Sequence, residues 1–151
     1  MRKCLLVLLA CVTSCCQLKN DSASKIQDTK KAECYFKDEM AFTSTPYEIK
    51  SIIDRKEHVV IVDVRSEKDY NAGHIPGAIN IPCEKWNMFT GSETEFPGLI
   101  KDGINYVYCY ALLCDLSKRA AQKFAAAGYP VKEIKGGFEA WKVSKCKIEK
   151  K

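Results

Sequence analysis

The stretch HVVIVDV, residues 58–64, is β-branched or apolar at nearly every position. A strand with one face in water alternates apolar and polar residues, whereas a strand covered on both faces reads as a continuous apolar run. This run therefore predicts a central strand of a parallel sheet. Three further strand-like runs follow: GAINIP at 77–82, INYVYCY at 104–110, and VKEI at 131–134 after a turn at Gly128, Tyr129 and Pro130. The segments between them read as helices. In TSTPYEIKSIIDRK, residues 43–56, Thr45 is the expected N-cap, Pro46 the first helical residue and Glu48 the partner in a capping box, with Ile49, Ile52 and Ile53 on one stripe. Residues 115–127 carry a second stripe of Leu116, Ala120, Phe124 and Ala127, with Lys118, Arg119, Gln122 and Lys123 largely outside it. Strands alternating with helices give an α/β domain, a central mostly parallel sheet flanked by helices on both faces.

Ligands of such sheets bind at the carboxyl ends of the strands. Cys109 lies at such an end, in VYCYALLCDLSKRAA, residues 107–121. A loop of Tyr110, Ala111, Leu112 and Leu113 leads to a second cysteine, Cys114, then to Asp115, the expected N-cap of the following helix. Loop amides turned inward and the positive end of that helix are expected to stabilise a thiolate and lower its pKa. Position alone leaves Cys109 equally readable as a small buried hydrophobe.

Composition narrows the function classes. The 151 residues suggest one domain, and 46% hydrophobic content suffices for a core. The net charge of +5 is spread out, with no basic block beyond residues 147–151, and gives no nucleic-acid signature. None of the nine cysteines shows the spacing of a structural zinc site, and neither metal nor cofactor is expected.

The stretch IVDVRSEKDYNAGHIPGAINIP, residues 61–82, is similar to the N-terminal signature of rhodanese-like domains, with matches at Asp63, Arg65, Tyr70, Gly73, His74, Ile75, Pro76, Gly77, Ala78 and Asn80. GGFEAW, residues 136–141, resembles the end of the same family, and the strand, cysteine and helix between them resemble its catalytic centre. The resemblance covers about residues 40–143. It implies a rhodanese-like fold and sulfane-sulfur transfer through a persulfide on Cys109, from a small sulfane-sulfur donor to a thiol or other acceptor. A non-catalytic binding module, and a thiol–disulfide protein using Cys109 and Cys114, are the alternatives.

The loop departs from the family pattern. It is longer and has no basic residue before Lys118, so a thiosulfate dianion would rely on backbone amides, and a persulfide or polysulfide suits it at least as well. Related phosphatases clamp phosphate with an arginine. Asp115 falls near that place here, which argues against phosphatase activity. Cys114 either resolves the persulfide as a disulfide or packs beneath the loop. Asp63 and Arg65 are expected to support the loops as an ion pair, and His74 to be structural. Lys118 and Arg119 are expected in solvent, Cys83 buried, and Trp86, Met88 and Phe89 packed rather than walling a pocket.

The ends carry separate expectations. MRKCLLVLLACVTSCCQ, residues 1–17, has a basic start and a short apolar stretch, as a signal peptide does, and its Val12, Thr13, Ser14, Cys15 ending resembles a bacterial lipobox. A looser match ends at Cys11. The expected organisation is a signal peptide at 1–14, lipidation of Cys15, a polar tether at 15–39, the domain at 40–145 and a basic tail at 146–151. The lipid would anchor the exported chain to a bacterial membrane, facing the periplasm. Cys34 and Cys146, at opposite ends of the domain, are expected to pair as a disulfide.

Overall fold

The structure, a computed structural model, describes residues 28–87 and 96–151. The targeting segment, Cys15, Met88 and Phe89 lie outside them. In chain order the elements are α1 (Thr29–Phe42), β1 (Thr43–Ser44), α2 (Pro46–Asp54), β2 (Val59–Asp63), α3 (Glu67–Ala72), β3 (Ile79–Asn80), α4 (Cys83–Asn87), β4 (Ile104–Tyr108), α5 (Leu116–Ala126), β5 (Val131–Ile134) and α6 (Gly137–Val143).

The five strands form one parallel sheet in the order β1-β5-β4-β2-β3. The HVVIVDV run supplies β2, which pairs β4 from Val59 opposite Ile104 to Asp63 opposite Tyr108. Successive residues of a strand face opposite sides, and here both sides are filled. Ile61, Tyr106 and Tyr108 join Ile49 and Ile52 of α2 and Trp141 of α6 in one core cluster. Val62 and Val107 join Trp86 of α4 and Ala120 and Phe124 of α5 in the other. Burying a Val or Ile side chain fully contributes about 1.5–3 kcal/mol, which explains why β2 is apolar throughout. The α2 capping box forms as its residues dictate: Thr45 N–H donates to Glu48 Oε2 at 2.6 Å and Glu48 N–H to Thr45 Oγ1 at 3.3 Å.

Two boundaries differ from the sequence expectation. Of the tether expected over 15–39, residues 15–27 lie outside the described residues and 29–39 are helical in α1, whose N-cap Asp28 accepts from the N–H groups of Lys30 and Lys31. No residue of α1 is buried, and its apolar side chains Tyr35, Phe36, Met40 and Phe42 are exposed. The N-cap and a Lys135–Glu39 ion pair at 2.8 Å are among its contacts. The expected basic tail is part of the domain. His74 and Glu149 exchange backbone hydrogen bonds at 2.9 and 3.0 Å, and Lys147 O accepts the buried Trp141 indole N–H at 2.8 Å. A buried indole needs an acceptor, and the tail provides it.

Candidate active site

Cys109 directly follows β4, and its side chain turns into the second core cluster, leaving the residue 1% exposed. Its Sγ lies 3.2 Å from Ser117 Oγ, 3.4 Å from Cys114 O and 4.0 Å from Ala111 O. The sulfur therefore meets carbonyl oxygens of the loop, to which only a protonated thiol can donate. This corrects the expected cradle of inward loop amides. The turn at Leu112 and Leu113, closed by Cys114 N–H donating to Ala111 O at 3.0 Å, points those carbonyls at the sulfur. Burial and the neighbouring Cys114 thiol push the Cys109 pKa up, against the Ser117 hydroxyl and backbone N–H, which pull it down. The net direction is upward, opposite to the sequence expectation.

The helix start contributes one opposing pull on the sulfur. Asp115 stands at the N-cap of α5 but makes no side-chain cap hydrogen bond, and its backbone is already helical, so its expected capping role is corrected to a positional one. The Ser117 backbone N–H, in the first helical turn, where N–H groups have no partner within the helix, pulls the Cys109 pKa down.

The loop is braced from two sides. Phe138 N–H donates to Cys109 O and Glu139 N–H to Tyr110 O, both at 2.9 Å, so the first turn of α6 holds the loop backbone. Gly137, at φ +59°, makes this approach possible, because a Cβ there would sit 2.6 Å from Cys109 O. The GGFEAW motif is therefore a brace for the cysteine loop. On the other side Tyr110 Oη donates to Asp69 Oδ2 at 2.7 Å. That bond, after the larger one from Ser66, holds the Asp69 carboxyl below its ordinary pKa. Between the braces the tip is bare: Leu112 is 67% and Leu113 97% exposed. Ala111 and Cys114 are half-buried, Cys114 against the second core cluster.

Asp63 and Arg65 form the expected ion pair, fully buried, with Nη2 to Oδ2 at 2.6 Å and Nε to Oδ1 at 3.0 Å. Arg65 Nη2 also donates to Gly73 O at 2.7 Å, and its guanidinium carbon lies 4.0 Å from the centre of the Phe138 ring. Tyr108 Oη donates to Asp63 Oδ2 at 2.6 Å. Burial first, then the Asp63 charge and hydrogen bond, push the Tyr108 phenol pKa up, so it stays a donor. For Arg65, burial works against the charge, and the Asp63 hydrogen bonds and charge outweigh it. The pair ties the ends of β2 and β4 to α6, a supporting role.

Other residues fall into place around this frame. His74 stacks on Tyr70 at 3.9 Å and pairs its Nδ1 with Tyr70 O, a structural position. Trp86 is wholly buried. Lys118 and Arg119 are exposed, with the Arg119 guanidinium 5.9 Å from the centre of the Trp86 ring. Cys83 is half-buried rather than buried. The expected Cys34–Cys146 disulfide is absent: Cys34 is a free, exposed thiol on α1, and Cys146 a free thiol packed against the first core cluster. Among the described residues no His, Cys, Asp or Glu cluster is arranged to hold a metal ion.

Two grooves flank the loop. One of about 570 Å³ runs between α1, α5 and β5 and is lined by Leu112, Lys118 and Glu133 among others. The second, of about 380 Å³, includes Arg65, Tyr110, Phe138 and Lys142. Cys109 lines neither. The residues that sequence reading missed are Ser117, Glu133 and Tyr108, polar groups whose partners lie on other elements.

Comparisons with known proteins bear on the family and the fold. The family model of the Rhodanese-like domain matches residues 45–144. The chain is 32% identical over 100 residues to the HTH-type transcriptional regulator Rv0324 of Mycobacterium tuberculosis, covering 65% of this chain and 42% of that protein. It is 30% identical over 103 residues to the adenylyltransferase and sulfurtransferase UBA4 of Candida albicans, covering 66% of this chain and 23% of that one. The chain thus spans less than half the length of these relatives. Among solved structures, the BH2092 protein of Bacillus halodurans superimposes with a TM-score of 0.69 at 28% identity, covering 82% of this chain and 87% of that one. The Rhodanese-like domain of Alr3790 from Anabaena gives 0.58 at 31%, covering 72% and 79%. The matched span contains the Asp63 and Arg65 strand end, the Cys109 loop and the glycine brace, and this chain belongs to the rhodanese-like domain family.

Proposed function

We propose that the protein is a sulfurtransferase that carries sulfane sulfur as a persulfide on Cys109. The observation that carries this reading is the position of Cys109 at the carboxyl end of β4, with Ser117 Oγ 3.2 Å from its sulfur and its loop held by α6. The Cys109 thiolate attacks the outer sulfur of a donor persulfide, a new S–S bond forms, and the donor leaves as a thiolate. An acceptor thiolate then attacks the outer sulfur of Cys109–S–S⁻, and Cys109 returns as a thiolate. The loop supplies no cation, so a persulfide or polysulfide suits it better than the thiosulfate dianion. Since Cys109 is 1% exposed, donor entry requires the unbraced Leu112 and Leu113 tip to move. The lipobox-like ending at Cys15 supports a working place at a bacterial membrane, outside the cytoplasm.

A second reading rests on Cys114, whose thiol lies beside that of Cys109. Its thiolate, attacking the inner sulfur of the Cys109 persulfide, would expel hydrosulfide and leave a Cys109–Cys114 disulfide. Peptide mass spectrometry after exposure to a persulfide donor separates the two. Sulfur transfer adds the mass of one sulfur atom to the Cys109 peptide. The redox reading gives a peptide pair linked by a disulfide. A Cys114→Ser variant with full turnover to a thiol acceptor rules the resolving role out.

A further inference from the structure

Ser117 has one hydroxyl hydrogen and two groups that compete for it. Its Oγ lies 2.7 Å from Glu133 Oε1 on β5 and 3.2 Å from Cys109 Sγ. A hydroxyl donates one bond and accepts others, and a bond to an ionised carboxylate is the stronger claim on that hydrogen. With the hydrogen on Glu133, Ser117 offers the sulfur only lone pairs, which suit S–H and not S⁻, and the hydroxyl's downward pull on the Cys109 pKa acts only when that hydrogen turns to the sulfur. The carbonyls of Cys114 and Ala111 make the same demand from the loop side.

We infer that Glu133 is a positioning residue for Cys109: its carboxylate holds the Ser117 hydrogen away from the sulfur, and neutralising it turns that hydroxyl on to the thiolate. The inference rests on the reading of Cys109 as the sulfur-carrying thiol and adds how that thiol is held in reserve. Glu133 is half-buried and lines the groove between α1, α5 and β5. The charged groups that share this groove are Lys118 from α5, Asp38 and Glu39 from α1, and Lys132 and Lys135 from β5 and its end. Lys135 is bound to Glu39 at 2.8 Å and interacts electrostatically with Glu133. On the loop side the titratable neighbour is Cys114. With Glu133 ionised and holding the hydroxyl hydrogen, the resting form is the thiol.

The test follows the Cys109 Cβ carbon by NMR against pH in the full chain with 13C-labelled cysteine, assigned with Cys109→Ser. Glu133→Gln is expected to lower the thiol midpoint by about one pH unit. Glu133→Ala, which frees the hydroxyl without adding a donor, should lower it too. Adding Ser117→Ala to either variant should reverse most of the drop, because the gain comes through the hydroxyl. An unchanged or higher midpoint in both Glu133 variants overturns the inference. So does a drop that survives Ser117→Ala, which would be the carboxylate's charge acting directly. Persulfide formation on wild-type Cys109 is followed separately by mass. Its absence removes the sulfur-carrying reading whatever the midpoints show.

Discussion

Gly137 stands so close to Cys109 that a methyl group on its Cα would lie 2.6 Å from the Cys109 carbonyl oxygen. This contact lets the first turn of α6 donate two N–H groups to the cysteine loop. Gly137→Ala combines a left-handed backbone at φ +59° with a clash against main chain, which cannot rotate aside. We expect it to cost about 1–3 kcal/mol in urea unfolding and to slow persulfide formation. An alanine variant with unchanged stability and rate removes the brace from the account.

The buried pair of Asp63 and Arg65 gives a second expectation. Removing one partner leaves the other charge unpaired in the core, so Arg65→Ala should lose about 3–5 kcal/mol. If Arg65 instead bound substrate directly, the variant would keep its stability and show a raised KM. Urea midpoints and steady-state kinetics on the same samples separate the two.

Tyr110→Phe removes the hydrogen bond that pins the loop to Asp69. The loss should be about 0.5–1.5 kcal/mol, and the Asp69 carboxyl should rise toward its ordinary pKa, as one of the two bonds lowering it is gone. Carboxyl-detected NMR titration reads the shift. Hydrogen exchange of the amides at 110–114 should quicken, and unchanged exchange would show that the phenol does not restrain the loop.

The raised Cys109 pKa predicts the pH dependence. Raising the pKa of a thiol means that the fold favours the neutral form. Its contribution to stability is present below the unfolded thiol pKa and is lost as pH rises through the folded one. The reactive thiolate becomes more populated over the same rise, so persulfide formation from an uncharged polysulfane donor should climb through neutral pH and beyond the ordinary thiol range. Stopped-flow rates that level off near neutrality would contradict the upward direction.

How legible this was depended on where the partners lie in the chain. HVVIVDV announces β2 because burial on both faces leaves a local apolar mark, and Thr45, Pro46 and Glu48 announce the start of α2 because a capping box is a local device. The place of Cys109, at the end of an apolar run before a helix, was legible for the same reason, whereas its catalytic reading came from the family resemblance. Ser117 and Glu133 were not, since they meet only after α5 packs against β5. The direction of the loop carbonyls was hidden in the turn at Leu112 and Leu113, which reversed the expected environment of the sulfur. Helix α1 has no buried residue and sits among polar and charged residues, and Glu149 is tied to His74 through backbone atoms, so neither was read from the sequence.

The central claim is that Cys109 carries the sulfur, and the most direct measurement is its own mass. The full chain is treated with a persulfide donor, digested without reduction, and read by peptide mass spectrometry before and after a thiol acceptor is added. The account predicts one added sulfur atom on the Cys109 peptide, its disappearance on adding acceptor, and loss of turnover in Cys109→Ser. Sulfur carried on another cysteine, or turnover preserved in Cys109→Ser, would contradict it.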